Sequence, residues 1–171
     1  MNKSLLILLL LAACGRDDSP AGNQAAGAPD SPGRASQAGT AAPAGADSGR
    51  LTGLYEGGAG PQRNQLCMVD KGKETRFGLL VWGGNLHSCS GAGLAVREGE
   101  RLSLRMTGDE TCTIEATLKD GTVTLPATLP TGCSYYCGAR ASLAGARFTR
   151  SGGTAADARK ASDVAGDPLC D

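Results

Sequence analysis

The sequence predicts an all-β fold: a small disulfide-stapled antiparallel barrel or sandwich with a short C-terminal helix, preceded by a disordered tether. Three observations carry that expectation. Between residues 51 and 150, short apolar runs of period two alternate with Gly, Asp, Asn and Pro turn signals. Strand follows strand with no helical stretch between them, which suits an antiparallel meander rather than βαβ units. Six cysteines (Cys67, Cys89, Cys112, Cys133, Cys137 and Cys170) lie in this part of the chain, an even number that predicts a disulfide framework in an exported protein.

In chain order, the alternation predicts strands over 51–56, 65–70, 75–82, 93–97, 102–107, 112–119, 122–125 and 141–150. The clearest hairpins are "REGERLSLRM", turning at Glu98, Gly99 and Glu100, and "TIEATLKDGTVTL", turning at Asp120 and Gly121. Only residues 154–164 show a helical pattern, with Asp157 and Arg159 outward and Ala155, Ala158 and Ala161 small enough to pack closely.

The hairpin at Asp120 and Gly121 sets Cys112 opposite the region of Leu129, so Cys112 and Cys133 are expected to pair. Cys137 is then free to hold the C-terminal end through Cys170, which leaves Cys67 and Cys89 to pair by elimination. That last pair demands curling, because strands two apart in a flat sheet are nearly 10 Å apart while bonded cysteine Cα atoms approach within about 7 Å. A zinc site would need a second close pair beside Cys133 and Cys137, or histidines, and the chain has one histidine, His87. No metal and no cofactor is expected. Three disulfides of about 2–4 kcal/mol each suit a domain with few large apolar residues.

The N-terminus has the three-part layout of a signal peptide: Lys3, an apolar core over 5–13, then small residues. The core is too short to span a bilayer, which takes about 20 apolar residues. Leu11, Ala12, Ala13 and Cys14 resemble the lipobox of bacterial lipoproteins. That resemblance implies diacylglyceryl transfer to Cys14, cleavage before it and N-acylation of the new terminus, with Gly15 in place of Asp favouring the outer membrane. Acyl chains contribute roughly 0.8 kcal/mol per buried methylene, so two or more anchor a protein stably. Of the 36 residues over 15–50, 25 are Ala, Gly, Pro or Ser and none is a large apolar residue, too little to offset the entropy of ordering. Such a tether has an r.m.s. reach of roughly 30 Å and a stretched length of about 110 Å. The organisation is therefore a signal peptide (1–13), a lipidated cysteine with its tether (14–50) and one β-rich domain (51–171).

A balance of 17 basic and 17 acidic residues gives no electrostatic footprint for nucleic acid. Catalysis by nucleophile and base would have to use His87 with Ser88 or Ser90, but neighbours on a strand point apart and no G-x-S-x-G turn is present. The carboxylates Glu74, Glu98, Asp109 and Glu115 show no spacing that selects a glycosidase pair. "GGNLHSCSGAG" lacks the G-K-[ST] ending of a phosphate loop. The chain is thus expected to be a non-catalytic binding module rather than an enzyme. Its candidate binding loop comprises Trp82, Gly83, Gly84, Asn85, His87, Ser88 and Ser90, where glycines admit a partner's backbone. Trp82 is itself expected to serve as a core aromatic closing the barrel. Tyr135 and Tyr136, adjacent on a strand, would point one inward and one outward.

"GLYEG", "CSYYCGARASLAG" and "GDPLC" resemble segments of uncharacterised small exported proteins of Gram-negative bacteria, a likeness that covers 53–170 and implies no activity. Ser90, Gly91 and Ala92 are similar to part of the serine-glycine motif of lipid-anchored c-type lysozyme inhibitors, whose short loop enters the enzyme's cleft. The likeness fails at Gly93 and Leu94, where that family has a basic residue and a tyrosine. The partners expected are the membrane, through Cys14, and an envelope protein or small ligand. Lysozyme inhibition and a purely structural envelope role are the alternatives.

Overall fold

A computed structural model describes residues 50–171. Eight strands run up and down in sequence order: β1 (Gly53–Gly57), β2 (Asn64–Asp70), β3 (Thr75–Trp82), β4 (Ser88–Glu98), β5 (Arg101–Met106), β6 (Thr113–Lys119), β7 (Thr122–Thr124) and β8 (Arg147–Gly152). Each pairs with the next, and β8 returns to β1, with Tyr55 opposite Arg150 and Glu56 opposite Thr149, so the barrel is closed. Closure leaves no free sheet edge, and eight strands enclose a space that side chains can fill. The expected signal peptide, Cys14 and the expected tether up to residue 49 lie outside the described residues.

The interior follows from the period-two pattern. Phe77, Leu79 and Val81 of β3, Leu102 and Leu104 of β5, Ile114, Ala116 and Leu118 of β6 and Phe148 of β8 all point inward into one buried cluster with Tyr55, Leu66 and Met68. The expected turns are present. Asp120 and Gly121 both take positive φ (49° and 74°), the two-residue geometry whose twist matches a hairpin, and Gly99 does the same at 64° between β4 and β5.

Three expected elements are corrected. β4 begins at Ser88 rather than at residue 93, because its inward positions Gly91 and Gly93 make room for the large neighbours Met106, Tyr136 and Phe77. The strand expected over 141–150 starts only at Arg147, since 141–146 turns over the barrel end, with Leu143 buried and Gly145 at φ 70°. The helix expected over 154–164 is the single turn α1 (Ala155–Ala158), capped by Thr154. Beyond it the chain bends back on itself, with Leu169 N donating to Ala161 O and Ser162 bridging Pro168. That return carries Cys170 to the barrel wall, where a longer helix would lead it away.

The disulfides are Cys67–Cys170, Cys89–Cys137 and Cys112–Cys133. The third is as expected. The pairings of Cys137 with Cys170 and of Cys67 with Cys89 are overturned, because Cys67 and Cys89 face opposite sides of the sheet. Cys89 lies across from Val81 in the interior cluster. Cys67 lies across from Gly78 and points outward, into a second apolar cluster with Leu54, Val69, Ala158, Ala161 and Cys170. The C-terminal segment thus straps the outside of β1 to β3, and Gly78, lacking a side chain, lets the Leu169 carbonyl lie directly on the strand.

Candidate functional site: the disulfide-clamped end of the barrel

Alternating strand directions put four connections at one end of the barrel: 58–63, 83–87, 107–112 and 125–146. The last is the longest and folds across the opening. Its 3-10 turn, Thr131–Tyr136, is pinned at Cys133 to Cys112 and, one residue past the turn, at Cys137 to Cys89. The Cys89 and Cys137 Cα atoms are 3.9 Å apart, and Gly138 N donates to Ser88 O at 2.9 Å, so this segment replaces a strand partner along the upper part of β4.

Ser134, Tyr135 and Tyr136 therefore sit between two covalent clamps. Tyr136 is the inward member. Its ring rests on the interior cluster, over the space left by Gly91 and Gly108, and its hydroxyl accepts from Asp109 N in the neighbouring loop. Asp109 is itself held by Thr111, whose N and Oγ1 donate to its carboxylate at 2.8 and 2.6 Å and keep its pKa below the ordinary carboxylate value. Tyr135 is 72% exposed, and its ring meets that of Tyr136 edge to face, with centroids 5.2 Å apart. The expected division into one inward and one outward tyrosine holds, through a 3-10 turn rather than a strand.

The loop over 83–87 stands beside it. Gly83 N donates to His87 O at 2.7 Å and Gly84 N to Arg140 O at 2.9 Å, and a side chain at Gly83 would collide with Ala141. Between these fixed points the 3-10 turn Gly84–Leu86 is left-handed: Asn85 has φ 55° and Leu86 φ 64°. Leucine pays roughly 1–2 kcal/mol for that conformation. Its side chain is nevertheless 69% exposed, so burial does not compensate.

Of the expected binding residues, Gly83, Gly84, Asn85 and His87 belong to this loop, with His87 half-buried against Gly138. Trp82 ends β3 facing outward and half-buried; it is not the core aromatic expected, a place taken by Tyr55, Phe77 and Phe148. Ser88 and Ser90 are outward positions of β4, paired with Trp82 and Leu80. Ser90, Gly91 and Ala92 therefore lie in a paired strand with Gly91 turned inward, and they build no loop able to enter a cleft. Glu74 and Glu98 lie at the far end of the barrel, and Glu115 is on its wall, paired with Arg101 at 2.7 Å, so these carboxylates and Asp109 are dispersed. Among the described residues no group of His, Cys, Asp and Glu is arranged to hold a metal.

Leu86 and Tyr135 carry the exposed apolar surface of this end; Leu86 lies within the loop expected from sequence without being one of its expected binding residues, and Tyr135 lies outside it. The available signals were a leucine isolated among Gly, Asn and His, and two tyrosines enclosed by cysteines in "CSYYC". Charge is sparse here: the four loops contain only Arg63, Asp109, Glu110 and Arg140 among Lys, Arg, Asp and Glu. The three turns at the opposite end alone carry Lys71, Lys73, Glu74, Glu100 and Asp120. The fold and this end define a closed eight-stranded antiparallel barrel with a clamped, charge-poor rim. No protein-family model, curated protein or solved structure was found to match the chain.

Proposed function

We propose that this chain is a lipid-anchored protein of the bacterial outer membrane, held through Cys14, and that its barrel is a non-catalytic module docking an envelope protein at the clamped end. The observation that carries the docking reading is a leucine held left-handed and exposed beside an exposed tyrosine fixed between two disulfides. Strained backbone persists where surrounding structure over-determines it, and such positions cluster at binding surfaces. Exposed aromatic and aliphatic anchors presented rigidly, in surroundings poor in charge, suit the centre of a protein interface. Pre-organisation lowers the ordering cost of binding.

The anchor reading rests on the lipobox and agrees in geometry with the docking reading. The chain enters the barrel through Leu51 and β1, at the end opposite the rim.

Photo-crosslinking in intact envelopes tests the docking reading. A crosslinker at position 86 or 135 should give one discrete adduct, absent when it is placed at the exposed Val164. Equal, diffuse labelling from all three positions would refute docking and leave the structural envelope role. Inhibition of c-type lysozyme by the purified protein would replace docking to an envelope partner. For the anchor, Cys14→Ser should abolish lipid labelling, and labelling that persists would refute it.

A further inference from the structure

We propose that a groove on the outer wall of β3 to β6, away from the clamped end, binds a small amphiphilic anion: a phosphate or carboxylate head joined to a short aliphatic chain. This site is separate from the docking end and stands or falls without it.

The groove has a volume of about 590 Å³, inside the range of roughly 300–1,000 Å³ that small-molecule sites span. Its floor comes from β4, where Leu94 and Val96 are successive outward positions on either side of the inward Ala95, and Val96 is 58% exposed. Period-two alternation on a solvated wall puts polar residues at such places, as it does with Glu115, Thr117 and Lys119 on β6. Single apolar residues on a surface need no explanation, but two neighbours that floor one concavity do. The strap does not account for them, since its apolar contacts are with β1 and β2.

The charges lining this floor are mostly positive. Lys73, from the turn between β2 and β3, and Arg105, directly across from Leu94 on β5, both line the groove and are exposed. Among the described residues neither is ion-paired with a carboxylate. Arg97 lines the groove as well, with its Nε donating to Gly99 O at 2.7 Å. Against these three cations stands one lining carboxylate, Glu74. Glu115, next along the wall, is taken by Arg101 Nε at 2.7 Å and Ser103 Oγ at 3.1 Å, and Glu98 at the end of β4 also acts on Arg101. Thr113, paired with Arg105, adds a hydroxyl donor. Arginine and lysine hold phosphate or carboxylate through charge-assisted hydrogen bonds, and Leu94 and Val96 offer the attached chain apolar surface on which to leave water.

Two larger anions fit less well. A single-stranded nucleic acid stacks its bases on aromatic side chains, and none lines this groove. A stable protein partner covers roughly 800 Å² per side, whereas this concavity is filled by a molecule of small-ligand size.

The test uses the purified full-length chain carrying Cys14→Ser, so that acyl chains do not enter the comparison, and reads the NMR methyl signals of Leu94 and Val96. Its probes, kept below their critical micelle concentrations, are hexyl phosphate, hexanoate, dihexanoylphosphatidylglycerol, hexanol, hexylamine and inorganic phosphate. Hexyl phosphate and hexanoate should shift both signals saturably and bind more tightly than hexanol, hexylamine or inorganic phosphate. Combining Lys73→Ala with Arg105→Ala should weaken hexyl phosphate roughly five- to tenfold, and Val96→Ser about threefold, with the melting temperature unchanged because all three side chains are exposed. Dihexanoylphosphatidylglycerol binding at least as tightly as hexyl phosphate would uphold the site and assign the head to a membrane lipid; weaker binding would uphold it for a free amphiphile. Equal binding of hexanol or hexylamine would overturn the anion, and equal binding of inorganic phosphate would overturn the apolar floor. Full affinity in the double variant, or no saturable shift with any probe, would overturn the site.

Discussion

Replacing Leu86 with Asn should leave the protein at least as stable as before while weakening docking. Leucine at φ 64° costs about 1–2 kcal/mol, and Asn, whose side chain bonds locally in the left-handed region, escapes much of that. Against this stands the burial lost. The leucine is 69% exposed, so it forfeits only about a third of the ~2 kcal/mol that complete burial contributes, roughly 0.6 kcal/mol. The balance lies between zero and about 1 kcal/mol in favour of the variant. Urea unfolding should accordingly show an unchanged slope and a midpoint raised by up to roughly 0.5 M. The crosslinked adduct from position 135 should fall in the same variant. A loss of more than about 1 kcal/mol would mean that Leu86 supports the fold, and the inference from its strain to recognition would fail.

Gly91→Val should cost about 1–3 kcal/mol by overpacking, because a Cβ there would come within 2.8 Å of the Tyr136 ring, and NMR should show the Tyr135 and Tyr136 ring signals shifted. Replacing Cys67 and Cys170 together with Ala removes a bond between residues 103 apart; the route through Cys89–Cys137 shortens the effective loop to roughly 56 residues, for a cost of about 4 kcal/mol. Hydrogen exchange should then rise first over 153–171, and exchange rising first at the clamped end would refute the strap assignment. Asp157 accepts from Lys160 Nζ and from Thr154 in the cap of α1, which depresses its pKa from 3.8 to about 2. Its contribution is therefore complete above the unfolded value and lost as pH falls through the folded one. The stability gap between the native protein and Asp157→Asn should be constant above pH ~5 and close towards pH 2; a gap that instead closes as pH rises would refute the assignment.

The barrel was legible because its alternation is strong where the inward residues are large, as in Phe77, Leu79 and Val81, and because Asp120 and Gly121 specify one hairpin geometry. The register of that hairpin also made Cys112–Cys133 derivable. The same parity, applied to β3, would have rejected Cys67–Cys89: residues 78 and 81 are an odd number apart, so their cross-strand partners lie on opposite faces. What the pattern could not show is the strap over the outside of β1 to β3. Its apolar contacts come mainly from alanines and cysteines, whose small side chains mark no face by hydropathy.

The start of β4 was hidden for a related reason. Its inward positions are Cys89, Gly91, Gly93 and Ala95, so alternation there runs between small residues and reads as a loop. The expected binding loop therefore runs past the turn at 84–86 into the strand, to Ser88 and Ser90. Leu86 itself was passed over because an apolar residue in a Gly-rich loop looks incidental until its φ is known. Tyr135 needed the disulfide connectivity, since only the pairing of Cys133 and Cys137 with different strands turns two adjacent tyrosines into a fixed platform.

Closure of the barrel constrains where recognition can occur. With every strand paired on both sides, β-augmentation along the wall is unavailable, and the wall of β1 to β3 is already covered by the strap. At the end where the chain enters, Arg150 Nη2 donates to Arg50 O and Thr52 O at 2.8 and 2.6 Å, and its guanidinium stacks over Tyr55 at 5.5 Å, which fastens the chain as it reaches β1. Two of the three disulfides are spent at the opposite end, on a connection that stability alone would allow to be a short turn like those at 99–100 and 120–121. A 22-residue connection, clamped twice and backed by a half-buried tyrosine, is the means by which a β-barrel holds Tyr135 and the neighbouring left-handed leucine in one fixed geometry. The fold thus concentrates its rigidity where Leu86 and Tyr135 are exposed, the arrangement expected if that end meets a partner of defined shape.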